Sequence, residues 1–372
     1  MSGAQTRRIN LALQGGGAHG AYTWGVLDRL LEEEAIEIEA ISGASAGAMN
    51  AVCVADGYER NGRQGARDKL KQFWTAVGEA SRYSPLRRTP IEAWLGTWSM
   101  DTSPALLALD LMSQIYSPYD FNPMDINPLQ EIVAAEIDFA NVQQCKAIRL
   151  FVSATNVWNG KVRVFENEEI TLKTVMASCC LPSMYKAVKI DGVPYWDGGY
   201  MGNPVLFPFF AGSGTEDILL VQINPIERIA TPKSARQIAN RVNEITFNAS
   251  LLCELRAIGF VSRLLRQGKL SHDDYRDIRM HRVDAPEELK NLSASTKLNA
   301  EPDFLAHLMQ LGRKAAQAWI DKGMEKVGRE AGVDLRDEIS YAVKTPLPRY
   351  VPEHAAAELE RGKRRKSRKK RP

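Results

Sequence analysis

Two glycine-rich turns, thirty positions apart, constrain this chain more than anything else in it. The first follows the apolar run Leu11-Ala12-Leu13 and reads Gly15-Gly16-Gly17-Ala18-His19-Gly20. The second follows residues 35–41, where apolar and acidic side chains alternate, and reads Gly43-Ala44-Ser45-Ala46-Gly47. Each turn leads into a helical pattern, residues 18–34 after the first and the small-residue run 46–55 after the second. Two strands joined by a helix make a βαβ unit, with the strands parallel and side by side. Both turns then open on the carboxyl edge of one sheet, where open α/β sheets hold their sites.

The second turn is G-x-S-x-G in a strand–turn–helix setting, the context that makes Ser45 a candidate nucleophile. A serine held on so sharp a turn leaves no room for side chains two positions away, and this accounts for Gly43 and Gly47. Ser45 would stand at a helix N-terminus, where free N–H groups and the helix dipole favour a developing oxyanion. The alternative is a glycine- and serine-rich helix cap with no chemistry. In the first turn, glycines let backbone N–H groups approach a bound oxygen, as in an oxyanion hole or a phosphate cradle.

A serine hydroxyl needs a base. The five histidines are His19, His272, His281, His307 and His354. The order Ser45, Asp197, His272 would suit an α/β-hydrolase triad. Yet His272 and His281 lie in charged, solvated surroundings, His307 within a helix and His354 near the tail. None of the four downstream has a glycine-bordered loop around it. Asp197 is the better candidate. It follows the strand-like run ending in Tyr195-Trp196 and precedes Gly198 and Gly199, which would hold it in a tight loop. A carboxylate partly desolvated by aromatic walls can act as base directly.

Together these pieces resemble the patatin-like phospholipase family. The glycine turn resembles its oxyanion motif, Gly43 to Gly47 its nucleophile motif, and Asp197-Gly198-Gly199 its D-G-[GA] motif. Ala177-Ser178-Cys179-Cys180-Leu181-Pro182 and Gly202-Asn203-Pro204 also match in place. The resemblance implies a three-layer α/β/α fold with a central, mostly parallel sheet, here with a C-terminal helical extension. It implies a Ser45–Asp197 dyad without histidine, acting on acyl esters of lipids through an acyl-enzyme. It further implies an oxyanion hole from the N–H groups of Gly16, Gly17 and Ala18, within the motif Gly15 to Gly20, with that of Ala46 as a further donor. Neither cofactor nor metal is needed. One departure stands out: the family commonly has Arg or Lys where this chain has His19, so a permanent cation at the glycine loop is missing and electrostatic help would vary with protonation.

The resemblance sets a core at residues 9–210. Within it the proline-broken, apolar stretch 81–128 suits a cap over a greasy cleft, or else completes the core. A last buried strand, 217–224, and a helical region occupy 211–352. That region carries an apolar stripe of Ile238, Val242, Ile245, Ala249 and Leu252. Residues 353–372 read as a basic, disordered tail: 361–372 hold nine Lys or Arg and no acid, and removing these nine from the net +3 leaves −6. The tail is expected to help docking on anionic membranes at roughly 1 kcal/mol per basic residue. A non-catalytic protein binding lipid or nucleic-acid phosphate through that tail is a rival reading.

A dinucleotide-binding reading of Gly15, Gly17 and Gly20 lacks the acid expected at the end of the second strand, which ends in Ser42-Gly43. With 44% hydrophobic residues the chain can fill a core without disulfides. Five cysteines with no C-x-x-C pair suggest reduced thiols and a cytoplasmic setting. Neither a secretory h-region nor an 18-residue apolar span is evident.

Overall fold

The computed structural model describes residues 6–228 and 231–336. Among the described residues, eight strands form one mixed, mostly parallel sheet: β1 (Arg7–Leu13), β2 (Ile36–Gly43), β3 (Arg149–Asn156), β4 (Val162–Glu166), β5 (Val188–Ile190), β6 (Val193–Asp197), β7 (Asp217–Val221) and β8 (Arg279–Val283). The order is β5-β6-β3-β2-β1-β7-β8, with β4 paired to β3. The pairs β3–β2, β2–β1, β1–β7 and β7–β8 are parallel, while β3–β4, β3–β6 and β5–β6 are antiparallel. Central β1 from Ile9 onward and the whole of β7 are buried and mostly apolar, as strands covered on both faces must be.

The helices that concern the site are α1 (Gly20–Glu32), α2 (Ala46–Ser81), α3 (Pro104–Ile115), α4 (Leu172–Ser178), α5 (Ala235–Arg266) and α6 (Pro302–Gly323). Helix α2 continues well past the small-residue run 46–55, with a kink where Asn61 and Gly62 leave helical geometry.

Three expectations are corrected. The region after residue 224 is not wholly helical, because β8 extends the sheet beyond β7. Its sequence, Arg279-Met280-His281-Arg282-Val283, hides a buried strand because its polar groups are neutralised by contacts remote in sequence. Arg279 pairs with Asp217 at 2.7 Å, and His281 Nε2 meets Asp217 Oδ1 at 2.8 Å. The stripe on α5 faces outward: Ile238, Val242 and Ile245 are exposed. The buried line is instead Glu244, Asn248, Leu251, Leu255, Ile258, Ser262 and Leu265, a heptad-like spacing with polar members that single-residue hydropathy conceals.

The third correction concerns the apolar span. Gln237–Arg266 is long and apolar enough, by length and composition, to cross a membrane. Here it packs on the domain, with Asn248 bonded to Gln14 at 3.3 Å and Glu254 accepting the Leu206 and Phe207 N–H groups at 2.8 and 2.7 Å. The stretch 81–128 buries Met100 and Leu106 but leaves most of its large apolar side chains exposed. It therefore does little to complete the core. The basic residues 361–372 and His354 lie outside the described residues.

Candidate active site

Strand register brings the three motifs to one edge. Leu13 pairs with Gly43, so the glycine turn after β1 lies beside the serine turn after β2. Gly43 pairs in turn with Val152, and two residues further along β3 Ala154 pairs with Asp197, the last residue of β6. His281 is brought elsewhere. It pairs with Asp217, which begins β7 and so lies at the amino edge of the parallel strands, opposite the serine turn. His307, on α6, bonds Glu288 at 2.6 Å, and His272 borders a cavity of about 1150 Å³ with Arg7, Glu216 and Arg279 at the same amino edge. None of these three faces Ser45.

Ser45 precedes the first turn of α2 with φ 54° and ψ −125°. This is a conformation that L-residues rarely adopt, costing of order 1–3 kcal/mol. It aims the side chain out of the elbow: from Ile41 to Asn50, Ser45 alone is not buried. The Ser45 N–H donates to Ser178 Oγ, at the end of α4, at 3.0 Å. Ala46, the first residue of α2, has no helical acceptor for its own N–H.

The glycine turn is pressed against this elbow. A Cβ at Gly15 would lie 2.7 Å from Ser45 Cβ and from the Ala44 carbonyl oxygen, which no side chain could tolerate. Gly17 has φ 59°, and a Cβ there would strike the Lys297 carbonyl oxygen. Gly17 to His19 form a short 3₁₀ turn, whose first N–H groups have no partner within it. Gly16 and Gly17 are at the surface, while Ala18 and Gly20 are buried.

Asp197 is wholly buried. Its Oδ1 accepts the Gly199 N–H at 2.7 Å, and Oδ2 has no partner. Burial pushes the carboxyl up to about 7, against the opposing pull of the Gly199 N–H and of the Ser45 hydroxyl. The hydroxyl is thus near enough to favour the charged carboxylate without closing a hydrogen bond of normal geometry. Gly198 and Gly199 leave no space for side chains: a Cβ at the first would meet Ser153, and at the second the Phe247 ring. Cys179 and Cys180 are pushed up by burial, Cys180 to about 12, so neither offers a thiolate to compete with the serine.

Buried polar side chains fix these turns. Gly15 N–H donates to Asn203 Oδ1 at 2.6 Å, and Asn224 Nδ2 donates to the Gly15 carbonyl at 2.8 Å. Gln14 Oε1 accepts the Ile223 and Asn224 N–H groups at 2.9 and 2.8 Å. The backbone of the glycine loop is therefore held from three sides before any ligand arrives, which is what preorganised donors require.

The family model described as patatin-like phospholipase matches residues 11–210, more than half of the chain. The chain belongs to the patatin-like phospholipase family. Among curated proteins it is similar to the uncharacterized protein YjjU of Escherichia coli K12, 24% identical over 241 residues. That match covers 62% of this chain and 56% of the relative, so the chain spans little more than half of that protein's length. Among solved structures it is similar to VipD from Legionella pneumophila (TM-score 0.40, 14% identity, 89% of this chain and 72% of that one). It is also similar to ExoU, in its complex with SpcU from the type III secretion system of Pseudomonas aeruginosa (TM-score 0.37, 13% identity, 86% and 52%).

The departure from the patatin pattern at His19 has a structural counterpart. His19 is buried, with Nε2 2.7 Å from Thr296 Oγ1 and its ring edge-on to Phe304. Burial, followed by Lys297 and Arg228, lowers it to about 3, so it stays neutral and gives the protonation-dependent help expected of it no physiological range. A basic side chain is nonetheless close by, that of Lys297, which burial lowers from the ordinary lysine range against the opposing pull of Glu244. The turn Ala294–Leu298 lays the Lys297 carbonyl over Gly17, and Lys297 Nζ donates to Asn224 Oδ1 at 2.7 Å. Asn224 in turn donates to the Gly15 carbonyl, so Lys297 is linked to the glycine loop through one side chain. Lys297 lies outside the matched family region and carries no sequence signal. Ser178 and Asn203 sit in stretches noted above only for their resemblance.

Lys297→Met is expected to lower kcat on a soluble ester about tenfold with little change in KM, the scale of one charge-assisted hydrogen bond. Lys297→Arg should recover part of it. Steady-state kinetics of both variants decide, and an unchanged kcat in Lys297→Met would remove the residue from the site.

Proposed function

We propose that the chain is a serine hydrolase that cleaves carboxylic esters of phospholipids or related lipids with Ser45 as nucleophile and Asp197 as base. The observation that carries this reading is the placement of the buried carboxylate, one oxygen unpartnered, beside a serine held at positive φ on the same sheet edge as a glycine loop. Asp197 takes the Ser45 proton as Oγ attacks the ester carbonyl. The N–H groups of Gly16, Gly17 and Ala18, with that of Ala46, bind the oxyanion. Collapse breaks the bond to the alcohol, which leaves with the proton from Asp197. Water, deprotonated by Asp197, then releases the fatty acid, and the proton returns to Ser45. Two steps replace one difficult displacement.

Histidine plays no part in this scheme. The histidines of the described downstream region are engaged with Glu288 and Asp217 or line the cavity at the amino edge.

Incubation with mixed phospholipid vesicles, followed by lipid mass spectrometry, tests the substrate class. Free fatty acid and its lysolipid should accumulate together. If no ester, vesicular or soluble, yields fatty acid, the proposal fails.

A further inference from the structure

The geometry points to the outward apolar face of residues 83–126 as a docking surface for a lipid bilayer, set over the mouth of the proposed site and resting on that reading. Among the described residues, twelve of the twenty exposed large apolar side chains fall within these 44 positions. An apolar concentration of this kind marks an interaction site rather than ordinary surface.

The two ends of the segment are fastened to opposite walls of the site. At one end Arg88 grips the Glu301 carboxylate, with its closest approach at 2.6 Å. Trp98 packs on Phe304 at 5.1 Å, and the Met100 N–H donates to Ser295 Oγ at 3.1 Å. Ser295 belongs to the turn Ala294–Leu298, which covers Gly17 and holds His19. At the other end the Ala187 N–H donates to Tyr119 Oη at 3.3 Å, and Lys186 Nζ donates to the Pro123 carbonyl at 2.8 Å. The Lys186 carbonyl accepts from Cys180 Sγ at 3.0 Å, and the Cys180 carbonyl accepts the Asp197 N–H at 2.8 Å. The chain therefore passes from the glycine-loop wall to the acid wall, and α3 is the span between.

The span turns its apolar side outward. Leu106 is buried at 3% exposure, whereas Leu107, Leu111 and Ile115, on one line four residues apart, are 48, 60 and 65% exposed. The helix has one ionisable side chain, Asp110. In the same segment Trp94 stands 84% exposed, and Tyr116 and Tyr119 are more than half exposed. Such rings settle where hydrocarbon meets headgroups.

A bilayer is the occupant that fits. The proposed substrate must leave a lipid aggregate to reach Ser45, so the surface around the mouth is the surface the aggregate meets. With so little charge on α3, binding needs no anionic lipid, unlike binding through the basic stretch 361–372.

Sedimentation with phosphatidylcholine vesicles at high salt tests this. The full chain carries Ser45→Ala, so that binding does not depend on turnover. Adding Leu111→Glu and Ile115→Glu should cut vesicle association at least about tenfold, given the transfer free energy of two such side chains. Tryptophan emission should shift to the blue on adding vesicles, and Trp94→Phe should remove most of that shift. With Ser45 restored, the double variant should hydrolyse a soluble short-chain ester at the original rate but lose about tenfold on vesicles. Unchanged sedimentation of the double variant overturns the inference. So does binding that requires anionic lipid and vanishes at high salt, which would assign docking to 361–372. So, too, does absence of vesicle binding together with a dimer in light scattering that the double variant abolishes. Failure to hydrolyse any ester would sink the proposed function and leave the sedimentation result standing.

Discussion

Ser45→Ala is expected to lower kcat/KM for a medium-chain p-nitrophenyl ester by about 10⁶, the scale seen when a serine hydrolase loses its nucleophile. The fold should be untouched, because the Ser45 Oγ makes no hydrogen bond that supports the elbow; its N–H, bonded to Ser178, is the supporting group. Ser45→Gly sharpens the prediction. Glycine adopts φ 54° without the Cβ penalty, so that variant should be equally inactive yet more stable than wild type by about 1 kcal/mol. Inactivity with a raised melting temperature would show strain kept for chemistry. A melting temperature that falls would mean the elbow carries no strain. Ester hydrolysis that survives in either variant would move the nucleophile elsewhere.

Asp197→Asn should cost about 10⁴ in kcat, the upper end for a general base, because the same carboxylate serves both acylation and deacylation. The pH dependence follows from burial. The base must be ionised, so wild-type kcat/KM should climb with pH to a plateau, with its midpoint near 7. Residual activity of the Asn variant should lack that limb.

Stability moves the other way. Because the folded carboxyl sits near 7 against an ordinary 3.8, protonation favours the folded state. That contribution is fully present below 3.8 and is lost as pH rises through about 7, at up to about 1.4 kcal/mol per pH unit. Asp197→Asn should therefore melt above wild type at alkaline pH, with the difference closing as pH falls towards 3.8. Equal melting temperatures at all pH values would mean that Asp197 is not a desolvated carboxylate.

The parts of the fold legible in the sequence are those in which local pattern and tertiary role agree. Strands β1 and β3 carry short apolar runs and β2 alternates apolar and acidic residues, and the turns after β1 and β2 need glycine for steric reasons that hold in any α/β sheet. The tight loop at Asp197 is legible because two glycines follow it. The misreadings share a cause. On β8 and α5 the polar residues are buried by partners far away in sequence, Asp217 for Arg279 and His281, Gln14 for Asn248. Hydropathy then reports the wrong face of α5 and no strand at all for β8. Lys297 is the extreme case, since only the folded chain sets its carbonyl on Gly17 and its amine on Asn224, 73 positions earlier. The stretch 81–128 signalled an unusual surface through its prolines and aromatics, but which side of α3 faces out depends on Leu106 alone pointing inward.

The dyad itself is tested most directly by trapping the acyl-enzyme. The full chain is mixed rapidly with a p-nitrophenyl ester, p-nitrophenol release is followed from the first turnover, and the quenched protein is digested and mapped by mass spectrometry. The account predicts a burst stoichiometric with enzyme and an acyl group on the peptide bearing Ser45. The adduct should be absent from Ser45→Ala and should form far more slowly in Asp197→Asn. An acyl group on a different residue, or a burst undiminished in Asp197→Asn, would contradict it.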